Sequence, residues 1–393
     1  MRNIGLFLTL FLSVYTMTNL YLFRHLHLAT TIVPWIRPIL YSAWLFVLLA
    51  YPLGRILGRM LPYWLGTAFL WIGALYLGFL TYALLLALMM DLYRLCSSLA
   101  PFLLRPLSPA GTTHLWIWGG IGIGVLLLLG YINALTPRVR LMEMTLPTPL
   151  GSGPEQLRFA VVTDIHAGEI IHNARLQHIF QRVNETKPDA VFLVGDIVDG
   201  LVREAEEAEL AKELQKLDAP LGVYAVTGNH EYYAGIEEAL AYIEKGNVRI
   251  LKDESVVLAG RLLLVGRNDR QAPRFGHSRK PLETLLAESS APADLPVVVL
   301  DHTPLDLDEA ADAGASLQFS GHTHNGQLFP FNLITKRIYE QSWGVLRKKK
   351  TIFYVSCGVG TWGPPFRTSS VPEIVLCTLT FSDQPAVAVQ GTP

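Results

Sequence analysis

The chain has 393 residues, 51% hydrophobic and only 17% charged, against about 25% charged in an ordinary globular protein, so a wholly water-exposed architecture is excluded. Residues 1–150 hold nine arginines, no lysine and two acids, Asp91 and Glu143, a net +7; the remainder holds 23 basic and 31 acidic residues, a net −8. The acidic C-terminal part argues against a nucleic-acid partner. Three cysteines without paired spacing, Cys96, Cys357 and Cys377, exclude a disulfide framework or a thiolate zinc site. Cys357 and Cys377 sit in apolar runs as small buried hydrophobes, Cys357 close enough to a candidate site loop for a reactive thiol to be weighed.

Four apolar runs come first: Ile4 to Phe23, Ile39 to Leu53, Tyr63 to Met90 and Leu115 to Leu135. A helix needs about 20 apolar residues to cross a bilayer, so three runs suffice and the second does so once its ends are extended. Tyr21, Trp35, Trp64, Trp116 and Trp118 suit the headgroup region. The first run lacks a small-x-small cleavage signal and reads as an uncleaved anchor. Residues 1–140 are thus predicted as a multi-pass transmembrane region of about four helices, without the intramembrane charge that a transport path needs. With four spans, Arg2, Arg55, Arg59, Arg138 and Arg140 face Arg24, Arg37, Arg94 and Arg105 across the membrane, an excess of one that leans to a cytoplasmic C-terminal domain but scarcely decides against the opposite face.

Residues 141–155, with Pro147, Pro149, Gly151, Gly153 and Pro154, read as a linker that sustains no helix. Residues 156–393 then alternate strand and helix. Arg158 to Thr163 is a buried strand; Asn173 caps a helix running through Glu185 and stopping before Pro188; Ala190 to Val194 is a second strand. A charged helix around Arg203 to Leu217, a strand at Val223 to Val226 and a helix around Glu237 to Lys245 follow. Further strands are predicted at Val248 to Leu251, Ser255 to Leu258, Leu262 to Val265, Val297 to Leu300, Leu317 to Phe319, Ile352 to Val355 and Ile374 to Leu379. The alternation predicts α/β crossover units with ligands gathered at the C-terminal ends of strands.

Five polar fragments stand just after those strands: Asp164-Ile165-His166, Gly195-Asp196-Ile197-Val198-Asp199, Gly228-Asn229-His230-Glu231, Asp301-His302-Thr303-Pro304 and Ser320-Gly321-His322-Thr323-His324-Asn325-Gly326. A lone His-x-His proves little. If the chain turns at Gly321, however, His322 and His324 can each face one of two adjacent cations. Asp164 and His166 leave the first strand together and can hold one ion, Asp196 has two oxygens with which to bridge a pair, and Asn229 and His302 add neutral donors. Mixed nitrogen and oxygen donors without thiolate suit manganese, iron or zinc rather than calcium.

These fragments, in this order, resemble the calcineurin-like metallophosphoesterase superfamily over about Leu157 to Leu379. Gly321-His322-Thr323-His324-Asn325-Gly326-Gln327, Val355-Ser356-Cys357-Gly358-Val359-Gly360-Thr361 and Pro372-Glu373-Ile374 are similar to its branch of membrane-attached phosphodiesterases, in bacteria and their animal relatives. The resemblance implies a four-layer αββα sandwich of two sheets with helices outside, and a bacterial inner-membrane location. It also implies two divalent ions (Mn, Fe or Zn), one on Asp164, His166, Asp196 and His324 and the other on Asp196, Asn229, His302 and His322. The two ions would acidify a bridging water, the hydroxide attacking phosphorus in line. His230 would contact the phosphoryl group and protonate the leaving oxygen, while Asp199 and Glu231 orient ligands. His172, His178 and His277 match no motif and are assigned to the surface.

The expected function is a membrane-anchored, dinuclear metal-dependent phosphoesterase cleaving phosphodiester or pyrophosphate bonds of a lipid or nucleotide-linked substrate. Alternatives are a UDP-2,3-diacylglucosamine pyrophosphatase of lipid A synthesis and a non-catalytic membrane scaffold. Arg347 and Lys348 to Lys350, with the apolar Leu328 to Ile334, are read either as a lip at the membrane surface or as an ordinary hairpin. Arg367 is noted as a further candidate phosphate contact.

Overall fold

The computed structural model describes residues 2–58, 60–149, 153–172, 174–199 and 204–382. Arg59, Gly151, Asn173 and Arg203, used in the sequence reading, lie outside them. Two compact units form, residues 1–130 with 363–365 and the remainder.

The first unit is helical: α1 (Arg2–Ala29), α2 (Arg37–Leu57), α3 (Tyr63–Leu99) and most of α4 (Pro109–Ala134). A 3-10 turn at Pro34–Ile36 extends the short second run, and α3 continues past Met90. Among the described residues, three helices are long and apolar enough to cross a membrane: Pro34–Leu57, Tyr63–Leu99 and Pro109–Ala134. This corrects the expected four. The first run also forms a helix, α1, but is not one of the three. A Cβ on Gly73 would lie 2.4 Å from the Tyr51 Cα, so small residues let α2 and α3 meet backbone to backbone.

The second unit is a sandwich of two six-stranded sheets. β1 (Arg138–Leu146), β12 (Glu373–Phe381), β2 (Gln156–Val162), β3 (Ala190–Val194), β4 (Val223–Val226) and β5 (Val248–Ile250) form one sheet in that spatial order. β12 is antiparallel to β2, and every other neighbouring pair is parallel. The second sheet runs β10 (Gly344–Lys348), β11 (Thr351–Val355), β9 (Leu317–Ser320), β8 (Val297–Leu300), β7 (Leu262–Gly266) and β6 (Glu254–Leu258). Only its two edge strands, β10 and β6, are antiparallel to their neighbours.

The core arises from period-two patterning. Met142, Phe159, Val161, Phe192 and Val375 of one sheet interleave with Leu264, Leu300, Phe319 and Tyr354 of the other. On the outer face of the first sheet, Ala160, Val191 and Ile374 meet α5 (Ala174–Glu185), α6 (Glu204–Leu214) and α8 (Ile236–Lys245), which follows the short α7 (Asn229–Ala234), through Leu176, Phe180, Leu210 and Ile243. On the second, Val265, Val299 and Phe353 meet α9 (Leu282–Glu288) and α10 (Asp308–Asp312) through Leu285 and Ala310. The four-layer αββα order is the one expected.

The expected linker is not all linker. Residues 141–146 belong to β1, whose Met142, Met144 and Leu146 are buried while Leu141 is exposed. That alternation is a strand signal, and the prolines, the first of them Pro147, all lie beyond the end of β1.

Candidate metal centre

The ligand fragments leave the C-terminal ends of β2, β3, β4, β8 and β9, and the two-sheet packing brings those ends to one edge. Asp164, His166, Asp196, His322 and His324 all adopt positive φ, between 47° and 70°, a sparsely populated backbone region that clusters at functional sites. Gly321 is not the residue that turns: the left-handed conformation falls on His322 itself, at φ 70°. The glycine is needed for space, because a Cβ there would lie 2.4 Å from Asp164 Oδ2. Gly228 plays the same part against Asp196 Oδ1, at 2.2 Å.

Two groups of side chains gather the expected metal donors, Asp164, His166 and His324 in one and Asp196, His302 and His322 in the other, and a third joins His166 to Asp199 and His230; the donor atoms of each group lie within 4.8 Å of one another. His166 Nε2 lies 3.0 Å from His324 Nε2, and His324 Nε2 lies 3.4 Å from Asp164 Oδ1. Asp196 reaches both groups, its Oδ2 being 3.1 Å from His302 Nε2 and 3.8 Å from His166 Nε2. His302 Nδ1 is 2.8 Å from the Val194 carbonyl; donation there leaves Nε2 as the nitrogen turned to the site.

The donor set fits a pair of cations. Asn229 Oδ1, His302 Nε2 and His322 Nδ1 are buried without a hydrogen-bond partner; they come from three separate loops, and buried polar atoms are seldom left so. Burial drives His166 down to about 3 and His322 to about 4, keeping both imidazoles in the neutral form that binds metal. Burial, opposed by His302 and reinforced by Asp196, pushes Asp164 up to about 6, a cost that a cation would offset.

The remaining predicted residues surround these groups. Glu231 is fully buried and accepts from four backbone N–H groups, those of Asp196 (3.0 Å), Ile197 (2.7 Å), Val198 (3.1 Å) and Gly228 (2.7 Å). It pins the Asp196 turn to the Asn229 turn. His230 donates its backbone N–H to Asp196 Oδ1 at 2.8 Å and sets Nδ1 3.1 Å from Asp199 Oδ1. Burial opposes its protonation, but Asp196 and Asp199 outweigh that and raise it to about 9. Its ring lies beside Trp362 and Tyr233, both half-exposed.

Arg367 is 1% exposed and donates to the Gly360 carbonyl, to Ser370 Oγ at 2.9 Å and towards His324 Nδ1 at 3.2 Å. It therefore backs His324 from inside rather than meeting substrate. Cys357 is buried with Sγ 2.9 Å from the Val371 carbonyl, and burial holds its thiol well above the usual range; no reactive thiol stands there. His178 is exposed, and His172 and His277 are half-buried outside the two groups.

Two supports went unread in the sequence. Glu373, fully buried, accepts from Arg140 Nε (2.8 Å), Ser356 Oγ (3.0 Å) and the Cys357 N–H (3.1 Å), fixing the loop whose Gly358 packs on Asp164. Its Pro-Glu-Ile setting was visible, its role was not. Asp269 accepts from Thr303 Oγ1 (2.9 Å) and donates its N–H to Thr227 Oγ1 (2.9 Å), tying the His302 loop to the strand before Asn229. Its signal was a polar Arg-Asn-Asp run straight after an apolar strand.

Residues 157–326 match the family model described as calcineurin-like phosphoesterase. An uncharacterized metallophosphoesterase of Aquifex aeolicus is 33% identical over 259 residues, 65% of this chain and 97% of that protein. The chain belongs to the calcineurin-like metallophosphoesterase family. A Danio rerio protein described as a transmembrane protein with metallophosphoesterase domain is 29% identical over 64% of this metallophosphoesterase chain, which spans 59% of that protein. Among solved structures, a dimetal phosphatase from Danio rerio aligns over 60% of this chain and 98% of its own, with 13% identity and a TM-score of 0.41.

Proposed function

We propose that the chain is a membrane-anchored phosphoesterase that uses two divalent metal ions to hydrolyse a phosphodiester or pyrophosphate bond of a lipid or nucleotide-linked substrate. The observation that carries this reading is the pair of donor groups bridged by Asp196, beside three buried acceptors without a hydrogen-bond partner. Asp164, His166, Asp196 and His324 would hold one ion, and Asp196, Asn229, His302 and His322 the other. When bound, manganese, iron or zinc supplies an acidified water and charge to hold phosphoryl oxygens.

The rest falls to the chain's own groups. With Nδ1 beside Asp199, His230 has Nε2 left to meet a phosphoryl or leaving-group oxygen and deliver a proton to it. Asp199 fixes that ring, and Glu231 and Arg367 hold the turns and ring behind the donors so that little reorganises on binding. Trp362 and Tyr233 offer apolar surface beside His230. The three apolar helices, and the naming of relatives as transmembrane proteins, support anchoring in the membrane.

The test is hydrolysis of bis-p-nitrophenyl phosphate by the detergent-purified chain with added manganese, beside metal content measured by mass spectrometry. Metal-dependent turnover that collapses in Asp196→Asn and His230→Ala supports the reading. A chain that retains two metals and turns over neither this diester nor a nucleotide-linked pyrophosphate refutes it.

A further inference from the structure

We propose that the helix following the His322–His324 turn is a membrane-docking element that seats the candidate metal centre against an anionic lipid surface. α11 (Phe331–Ile338) has no buried residue. Phe331, Leu333, Ile334 and Ile338 are 42%, 57%, 51% and 62% exposed, and Phe329 just before it is 50% exposed. Only Asn332 and Thr335 turn partly towards the body. A helix that holds its polar residues inward and its large apolar residues outward is inverted relative to a helix packed on a core. Large apolar groups clustered on a surface mark an interaction site.

The occupant is set by the chemistry of the same helix. Lys336 and Arg337 are exposed in the last turn of α11, and neither forms an ion pair among the described residues. Apolar side chains flanked by such cations suit the acyl and headgroup layers of an anionic bilayer, the former entering and the latter meeting phosphate. This differs from the sequence expectation. There the basic run supplied the charge, but Lys348 pairs with Asp308 at 2.8 Å and Glu340 at 3.1 Å, and Lys349 pairs with Asp312.

The helix is also rigidly joined to the ligand turn. A Cβ on Gly326 would lie 2.1 Å from the Asn332 N, and Phe329 donates its N–H to Thr368 Oγ1 at 3.0 Å. A bilayer gripping α11 therefore fixes the position of His322 and His324 relative to its headgroups. A phosphoester within or just above the headgroup layer is then the substrate class in reach, an extension that rests on the phosphoesterase reading.

The docking claim is tested without catalysis. In the full chain carrying Cys96→Ser, a fluorophore is attached at Ile334→Cys and, as control, at Lys216→Cys, and the chain is placed in phosphatidylglycerol nanodiscs. Docking predicts that the Ile334 label is blue-shifted, shielded at least about fivefold from aqueous iodide and quenched by lipids brominated near the headgroup, while the Lys216 label remains open to iodide. Iodide quenching at Ile334 equal to that at Lys216 overturns the proposal. Shielding from iodide without lipid quenching, together with cross-linking between copies, also overturns it and makes the occupant a second copy. Lys336→Glu/Arg337→Glu is expected to restore iodide access at Ile334. If the metallophosphoesterase turns over soluble diester, that double variant should leave its rate unchanged and lower hydrolysis of a vesicle-borne phosphoester at least tenfold. Loss of both rates would instead count against the docking role, and absence of turnover in the unmutated chain bears on the phosphoesterase reading alone.

Discussion

Replacing Glu231 with Gln should unsettle the metal centre without touching a donor to the metal. The carboxylate accepts two N–H groups on each oxygen, from Ile197 and Val198 on Oε1 and from Asp196 and Gly228 on Oε2. An amide keeps one oxygen and turns an NH2 group on the other pair, stranding two buried backbone donors. At about 1–3 kcal/mol for each unsatisfied group, the loss is about 2–6 kcal/mol. A domain of this size loses roughly 2–4 °C of midpoint per kcal/mol, so thermal unfolding should begin at least roughly 4 °C earlier. The assay is near-UV circular dichroism of the chelator-treated chain in detergent, which removes any stabilisation by bound metal, followed by metal content after reloading. Metal occupancy should fall as well, because Asp196 loses the bond that holds its backbone at φ 50°. A midpoint within about 1 °C of the unmutated chain, with metal retained, would refute the view that Glu231 shapes the site.

Four shorter expectations accompany it. Asp196→Asn should lower bound metal at both positions, whereas His322→Ala should cost about one ion per chain, a difference read directly by metal analysis. Gly321→Ala should abolish metal binding while leaving far-UV circular dichroism intact, since its Cβ would fall 2.4 Å from Asp164 Oδ2. Chelation should lower the thermal midpoint of the metallophosphoesterase, binding at a hundredfold excess over Kd being worth about 2.7 kcal/mol. In the folded chain, maleimide should modify at most one thiol, Cys96, and raising the pH to 9 should add none. Cys357 and Cys377 are both buried, burial raises both thiols above their ordinary value, and a raised thiol pKa leaves less thiolate at any given pH.

The candidate donors stood out in the sequence because each is a short polar fragment just after a strand, where side-chain direction is set by the strand before it. The alternation of strand and helix placed Asp164, Asp196, Asn229 and His302 at strand ends, and the family resemblance proposed them as metal donors. The features that stayed hidden depend on partners far along the chain. Leu141 to Leu146 reads as linker until β12 stands beside it, with Leu141 opposite Leu376. The basic run near Lys348 looks free until Asp308, Glu340 and Asp312 arrive from other elements. The apolar Leu328 to Ile334 stretch suggested a surface role, but only the fold shows that Leu328 is buried while Leu333 and Ile334 are not.

β12 lies between β1 and β2 in the first sheet, and this has a consequence for biosynthesis. Met142, Met144 and Leu146 leave the ribosome roughly 230 residues before the strand that covers their edge, a wait on the order of 10–50 s at about 5–20 residues per second. During that interval the β2–β3–β4 ladder has an open side, and the loop that packs on Asp164 lacks Glu373. Nascent chains should therefore gain resistance to protease, and the ability to take up metal, together and late, once β12 has been made.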